Sequence, residues 1–261
     1  MGTKWDDATV VVTGASRGIG RAVAEAAARR GARVGLIARG KAELDETLAR
    51  IGGRGAVATA DVGDRQQVDD AIAALEAELG PTDILVANAG IGAYGAFADI
   101  DVDEIERLVR VNVLGTVYPL KAVLPGMIER SRGHLVVISS VAGRFGPPME
   151  ATYAATKFAQ IGLAEALSVE VAGRGIGVSI VNPGVVDTTF FETRGHTYDA
   201  SFPKVISAEK VADGVMRAVE RGKLETFVPG WFRAAVAFRH LAPGLYASGT
   251  RRRFRKELSG G

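Results

Sequence analysis

Tyr153-Ala154-Ala155-Thr156-Lys157 sets a phenol and an ammonium four residues apart. On a helix that spacing puts both on one face, one turn apart. A phenol with its usual pKa of about 10 carries protons poorly at neutral pH. A nearby cation favours the phenolate, so Lys157 is expected to lower the Tyr153 pKa and make it a general acid or base. The small residues between them leave room for a cofactor or another backbone. Tyr and Lys four apart also decorate many surface helices, so the chemistry depends on what the rest of the chain brings to this pair.

A second group of residues can hold a dinucleotide. Thr9-Val10-Val11-Val12 reads as a buried parallel strand. It runs into Thr13-Gly14-Ala15-Ser16-Arg17-Gly18-Ile19-Gly20 and an Ala-rich helix to about Arg30. Strand, glycine loop and helix is the context a dinucleotide site requires. Glycines let the backbone approach a pyrophosphate seated on the free N–H groups of the helix N-terminus. Arg17, a cation opposing the helix dipole, is best placed there if it meets an anion. The second strand, Ala32–Arg39, ends in Ala38-Arg39 with no acid. An acid at that point binds the ribose diol of NAD, whereas an arginine accommodates a 2′-phosphate. Arg17 and Arg39 together favour NADP(H) over NAD(H).

The positioning elements follow from hydrophobic pattern. A helix is expected over 41–50, a third strand near 56–60 leading to Asp61-Val62, and an amphipathic helix over 64–79 carrying Val68, Ile72, Leu75 and Leu79. A fourth strand over 83–87 delivers Asn88-Ala89-Gly90. A long helix near 103–129, kinked or broken at Pro119 and Pro125, carries Asn112 among apolar neighbours. The fifth strand, 134–138, delivers Ser139-Ser140, the Tyr153 helix runs to about Val171, and Val178–Val181 leads into Asn182-Pro183-Gly184-Val185-Val186-Asp187-Thr188. Helix 207–220 and strand 226–228 close the pattern. Ligands in open α/β sheets bind beyond the C-terminal strand ends, which places these loops on one rim. Strand–helix alternation with no linker or repeat predicts a single doubly wound α/β Rossmann domain over 1–261, with a mostly parallel seven-stranded sheet.

In this combination and order the chain resembles the short-chain dehydrogenase/reductase family. The matching residues are TGASRGIG, Asp61-Val62, Asn88-Ala89-Gly90, Asn112, Ser140 thirteen residues before Tyr153, YAATK, and Pro183-Gly184-Val185-Val186-Asp187-Thr188. The resemblance implies a catalytic set of Asn112, Ser140, Tyr153 and Lys157. Tyr153 would transfer the proton, Ser140 rather than Ser139 would orient the carbonyl, and Lys157 would lower the tyrosine pKa and hold the nicotinamide ribose. Asn112 would hold a relay water behind Lys157. Gly14, Ser16, Arg17, Gly18, Ile19, Gly20, Arg39, Asp61 (adenine), Val62, Asn88 (adenosine ribose), Ala89, Gly90, Pro183, Gly184, Val186 and Thr188 (the last two at the carboxamide) would bind the cofactor. The family usually has two asparagines before Ala-Gly; here Ala87 stands in the first place. Two hydroxyls aimed at a carbonyl oxygen would stabilise the charge that grows there as hydride arrives. Relatives are commonly dimers or tetramers, so a homo-oligomer is expected.

The substrate end is less patterned. Phe145 and Met149 fall between Ser140 and Tyr153, and Phe190, Phe191, Tyr198 and Phe202 cluster in a loop over 189–206. An aromatic, Met-containing wall suits a hydrophobic ketone, aldehyde or secondary alcohol. The chain has Cys at 0, which rules out disulfides and thiolate chemistry and fits a cytoplasmic setting. His134, His196 and His240 lack metal-ligand spacing, and no metal is expected. Residues 231–261 carry seven cations against one acid, or +6, whereas the other 230 residues carry 25 cations and 29 acids, or −4. This basic, partly apolar C-terminal extension (about 230–261) is too short and too charged to span a bilayer. Packing on the body or on a second subunit is the first reading, and docking on a membrane surface is the second. Nothing beyond the tail suggests nucleic acid. The competing functions are a non-catalytic NADP(H) sensor or scaffold and, less consistent with the short C-terminal region and glycine spacing, a sugar-nucleotide epimerase or dehydratase.

Overall fold

Seven short apolar runs become seven strands, each lying parallel to its neighbours. They are β1 (Thr9–Thr13), β2 (Arg33–Ala38), β3 (Gly55–Thr59), β4 (Ile84–Ala87), β5 (Gly133–Ile138), β6 (Ile176–Pro183) and β7 (Glu225–Val228), in the sheet order β3-β2-β1-β4-β5-β6-β7. Every pairing is parallel, so the expected mostly parallel sheet is wholly so. The computed structural model describes residues 5–190, 194, 198 and 203–255. Phe191, His196 and Phe202 lie outside the described residues.

Among the described residues the α-helices are α1 (Gly18–Ala28), α2 (Lys41–Arg50), α3 (Arg65–Leu79), α4 (Val102–Leu108), α5 (Gly115–Glu129), α6 (Ala142–Phe145), α7 (Ala151–Glu170), α8 (Ala208–Arg221), α9 (Phe232–Leu241) and α10 (Pro243–Arg253). Successive strand residues point to opposite faces, so each strand feeds two cores. Val10, Val12, Val34 and Leu36 pack with α1, α2 and α8; Val11, Leu85, Leu135 and Val137 pack with α3, α5 and α7. Asp64 and Ser207 cap α3 and α8 by accepting from Gln67 N and Lys210 N, which satisfies N–H groups that lack a partner in the first turn.

One expectation is corrected. The helix carrying Asn112 does not break at its prolines. Its irregularity lies upstream, in a π-helical segment over Val109–Leu114 with Asn112 buried inside it. Pro119 and Pro125 both sit within α5. Pro119 falls in the first turns after the π segment. Pro125 and Lys121 are both exposed, so water can satisfy the carbonyl that the proline leaves unbonded. By length and composition the stretch 102–129 could cross a membrane, yet Leu120, Val123 and Met127 are buried against the sheet, as in a core helix.

The chain reverses its direction of winding between β1 and β4. The loops after β1, β4, β5 and β6 therefore converge at one edge, where a crevice opens. The loop after β6 is pinned back by a bridge between Val186 and Ile206, with Asp187 N donating to Ile206 O at 2.8 Å.

Candidate active site

The crevice is a cleft of about 890 Å³ running from Arg39 and Asp61 at one end to Phe145, Arg194 and Tyr198 at the other. Gly14, Ser16, Arg17, Gly18 and Ile19 line its first part. Gly18 has φ +54°, and a Cβ there would sit 3.1 Å from Thr188 Cγ2. The loop can thus turn into α1 with open backbone facing the cleft. Arg17 precedes α1 without making a side-chain cap, and no acid stands in the first turn of α1. The result is a helix N-terminus with bare N–H donors and a cation beside it, which suits a pyrophosphate. Gly20 does not line the cleft. A Cβ there would lie 2.2 Å from Gly14 O, so its part is close packing beneath the loop.

Asn88 holds this loop from behind. Its Nδ2 donates to Thr13 O at 2.9 Å and Gly14 O at 3.2 Å, and its backbone N donates to Thr13 Oγ1 at 3.0 Å. Asp61 uses Oδ1 to accept from Gly63 N at 2.8 Å and turns the chain at the far rim. Val62, Ala89, Gly90, Pro183, Gly184, Val186 and Thr188 all line the cleft, as does Arg39.

Ser140, Tyr153 and Lys157 meet in the middle. Ser140 lines the cleft beside Tyr153, where its hydroxyl favours the phenolate, and its Oγ accepts from Ala142 N at 3.1 Å. Ser139 instead donates to Lys157 O at 3.1 Å, a structural bond. Ser139 Oγ is thereby committed to the backbone, whereas Ser140 Oγ accepts from Ala142 N and keeps its own O–H to donate. Lys157 Nζ lies 5.7 Å from the Tyr153 ring centre and donates to Ile138 O at 3.2 Å and Gln160 Oε1 at 3.0 Å. Gln160 Nε2 continues to Asn112 O at 2.8 Å and Thr116 Oγ1 at 2.7 Å. Asn112 spends its side chain on Ile91 N (2.8 Å), Ile91 O (2.9 Å) and Thr156 Oγ1 (3.0 Å). The Gln160 amide thus joins Lys157 Nζ directly to the carbonyl of Asn112, the residue expected to hold the relay water. The π segment exposes the Asn112 carbonyl that makes this bridge.

The electrostatics also depart from the sequence reading. Burial holds the Tyr153 phenol well above its ordinary value, and the Glu150 carboxylate pushes the same way, while Ser140 and Arg194 oppose them. Burial also brings the Lys157 ammonium down to about 7. The expected lowering of the tyrosine by Lys157 is not found in this geometry, because the ammonium turns toward Ile138 and Gln160, and removal from water dominates both groups.

These features define a nicotinamide cleft over a Ser-Tyr-Lys centre, and the comparisons with known proteins agree. The model for the family "short chain dehydrogenase" matches residues 8–199. The chain belongs to the short-chain dehydrogenase/reductase family. It is 34% identical to dehydrogenase/reductase SDR family member 7B of Mus musculus over 269 residues, 96% of this chain and 82% of that one. It is 40% identical over 223 residues to glycine betaine reductase ATRR of Emericella nidulans, 81% of this chain but 17% of that much longer protein. Among solved structures, a short chain dehydrogenase/reductase from Burkholderia phymatum in complex with NAD superposes with a TM-score of 0.85 at 25% identity, covering 93% of this chain and 96% of that one. An alcohol dehydrogenase from the archaeon Thermococcus sibiricus, complexed with 5-hydroxy-NADP, gives 0.75 at 26% identity over 84% and 95%. As a member of the family, the protein is an oxidoreductase of alcohol and carbonyl groups that uses a nicotinamide cofactor.

The substrate end of this short-chain dehydrogenase/reductase is more polar than its sequence suggested. Phe145 lines the cleft, and the Phe190 ring stands 5.5 Å from the Tyr153 ring. Met149 does not line the cleft. It adopts φ +65°, and its carbonyl accepts from Gly95 N at 2.8 Å, which turns the residue aside and presents Glu150 in its place. Glu150 Oε1 pairs with Arg194 Nη1 at 2.9 Å, with the arginine side chain 4% exposed, and Arg194 also lies 5.1 Å from the centre of the Tyr94 ring. Sequence reasoning missed Glu150, Arg194 and Gln160, and also Glu43, Arg107 and Arg110 along the cofactor half. Gln160 had a signal, since it lies three residues after Lys157 and so shares its helix face.

Proposed function

We propose that the chain is an NADP(H)-dependent carbonyl reductase or alcohol dehydrogenase acting on a hydrophobic ketone, aldehyde or secondary alcohol. Tyr153 serves as its general acid and base. The observation that carries the chemistry is that Ser140, Tyr153 and Lys157 line one cleft, with Lys157 anchored to Ile138 O. A carbonyl oxygen placed against both hydroxyls would receive a hydrogen bond from each. Tyr153, held protonated by burial, then supplies the proton as negative charge develops. Bound in the cleft, the nicotinamide would supply or accept the hydride. Lys157, anchored by Ile138 O and Gln160 Oε1, would turn its remaining donor to the cofactor's ribose.

The preference for NADP(H) rests on Arg17 and Arg39, both exposed on the rim where the cofactor's adenosine end would lie. Phe145 and Phe190 support an apolar substrate. We extend the proposal to a homodimer or homotetramer, which the exposed Phe158 and Val169 on α7 support.

The test is NADPH oxidation across ketones and aldehydes graded from small and polar to long or polycyclic, with Tyr153→Phe alongside. Turnover should rise with apolar size, and the variant should lose it while binding NADPH nearly as well as the parent. Substantial residual turnover by the variant would remove Tyr153 from this role. Tight NADPH binding without turnover of any carbonyl would favour the sensor reading.

A further inference from the structure

The C-terminal helices present two apolar faces, one turned to the body and one to solvent. On α9 the inner face docks Phe232, which is buried and sits 6.1 Å from the Phe145 ring. On α10, Tyr246 stacks on Phe145 at 5.9 Å, and its Oη donates to Phe145 O at 3.3 Å. Arg239 bridges the two helices and the body, 5.7 Å from the Phe158 ring centre and 6.0 Å from that of Tyr246. The helices are therefore fastened to the wall of the catalytic cleft through Phe145.

The other face points outward. Trp231, Ala234, Phe238 and Leu241 recur at three, four and three residues, which is one stripe of a helix. Exposure is 42% at Trp231, 49% at Phe238, 86% at Leu241 and 70% at Leu245. Leu245 and Arg252, seven apart, share a face of α10 and are both exposed, with Arg251 and Arg253 on either side. No Asp or Glu occurs from 226 to 256. Among the described residues, Arg233, Arg251, Arg252, Arg253 and Arg255 make no ion pair.

We propose that the outward face of α9 and α10 docks on an anionic phospholipid bilayer beside the mouth of the cleft. An apolar stripe bordered by arginines suits the headgroup–acyl boundary. There Trp and Leu enter the upper acyl region, while arginine heads stay among phosphates with their stems along the apolar surface. A second copy of this chain is a poor occupant. A two-fold contact sets a patch against itself, so Arg251, Arg252 and Arg253 would meet their own equivalents with no acid within the patch to separate them. Nucleic acid would leave Leu241 and Leu245 unused. The inference needs no turnover, so it stands or falls apart from the proposed reaction.

The test is sedimentation of the full chain with vesicles of phosphatidylcholine mixed with phosphatidylglycerol, whose anionic surface attracts basic segments, and with phosphatidylcholine alone. Binding is expected on the anionic vesicles, weak binding on the neutral ones, and loss of binding in high salt. Arg251→Ser/Arg252→Ser/Arg253→Ser should lower partitioning on the order of 100-fold. Leu241→Glu/Leu245→Glu should also lower it, with an unchanged far-ultraviolet spectrum and melting temperature showing that both variants fold. Failure of the full chain to sediment with anionic vesicles would overturn the proposal. So would undiminished binding by both variants, or a fall in molecular mass on size exclusion with the leucine variant, which would make the face a subunit contact.

Discussion

The Tyr153 phenol is tuned by a pair of opposite charges 44 residues apart in sequence. Glu150 raises its pKa and Arg194 lowers it, with burial the largest influence. The pair is half-buried, its side chains 4% exposed at Arg194 and 18% at Glu150. Removing one partner leaves the other partly desolvated and unpaired, which destabilises the fold. The predicted signs are opposite. Glu150→Gln should bring the Tyr153 pKa down, and the alkaline limb of carbonyl reduction should move to lower pH. Arg194→Met should move that limb up, because Glu150 then faces the phenol without its counter-charge. Both single variants should melt lower than the parent, and the double variant should recover much of the loss. The measurement is kcat/KM against pH together with melting temperature. Limbs that move in the same direction would detach the pair from the phenol. Ser140 and Lys157 are the other groups beside Tyr153, and both remain in place in these variants.

Strand β5 shows how an element carries a titratable group that serves only the fold. His134 is buried, and its Nε2 lies 2.9 Å from Ser179 Oγ on β6. The Ser179 hydroxyl donates to Lys223 O at 2.7 Å, so the imidazole must be the donor between them, as the neutral Nε2–H form. Burial brings its pKa down to about 4. The folded value lies below the unfolded one of about 6.5, so the unfolded chain binds the extra proton between those limits. Stability from this group is complete above pH 6.5 and is lost as pH falls toward 4, by about 3 kcal/mol. His134→Gln should flatten that part of the curve of urea midpoint against pH; a slope that survives unchanged would assign it to carboxylates. The elements themselves were largely legible, because buried parallel strands and amphipathic helices leave local hydrophobic patterns. The Ser140, Tyr153 and Lys157 set was legible because its members lie at fixed offsets on one strand end and one helix. The π segment was not, because it goes with a tertiary bond from Gln160 to Asn112 O that no local pattern announces. Arg194 escaped for a like reason: it comes from a segment without periodicity, and only the folded chain brings it to Glu150.

At the scale of the molecule, the topological switch and the C-terminal helices divide the labour around one cleft. The β1–β4 reversal builds the cofactor half, and α9 and α10 close the substrate half through Phe145. The two ends can therefore be altered independently, since Arg17 and Arg39 lie on the rim remote from Phe145 and Arg194. A 2′-phosphate between the two guanidinium groups would accept charge-assisted bonds from each, every one contributing roughly 1.5–3 kcal/mol. Replacing either arginine by Ser should weaken NADPH by roughly 10- to 100-fold, as that energy requires. NADH, which has no phosphate there, should change little. Glu43, on the same rim, has the opposite sign and would repel a phosphate, so Glu43→Gln should strengthen NADPH modestly. Dissociation constants for both cofactors on the three variants decide the matter. A uniform loss for NADPH and NADH would mean that the arginines serve the pyrophosphate common to both, and Glu43→Gln weakening NADH would mean that the acid binds a ribose diol instead.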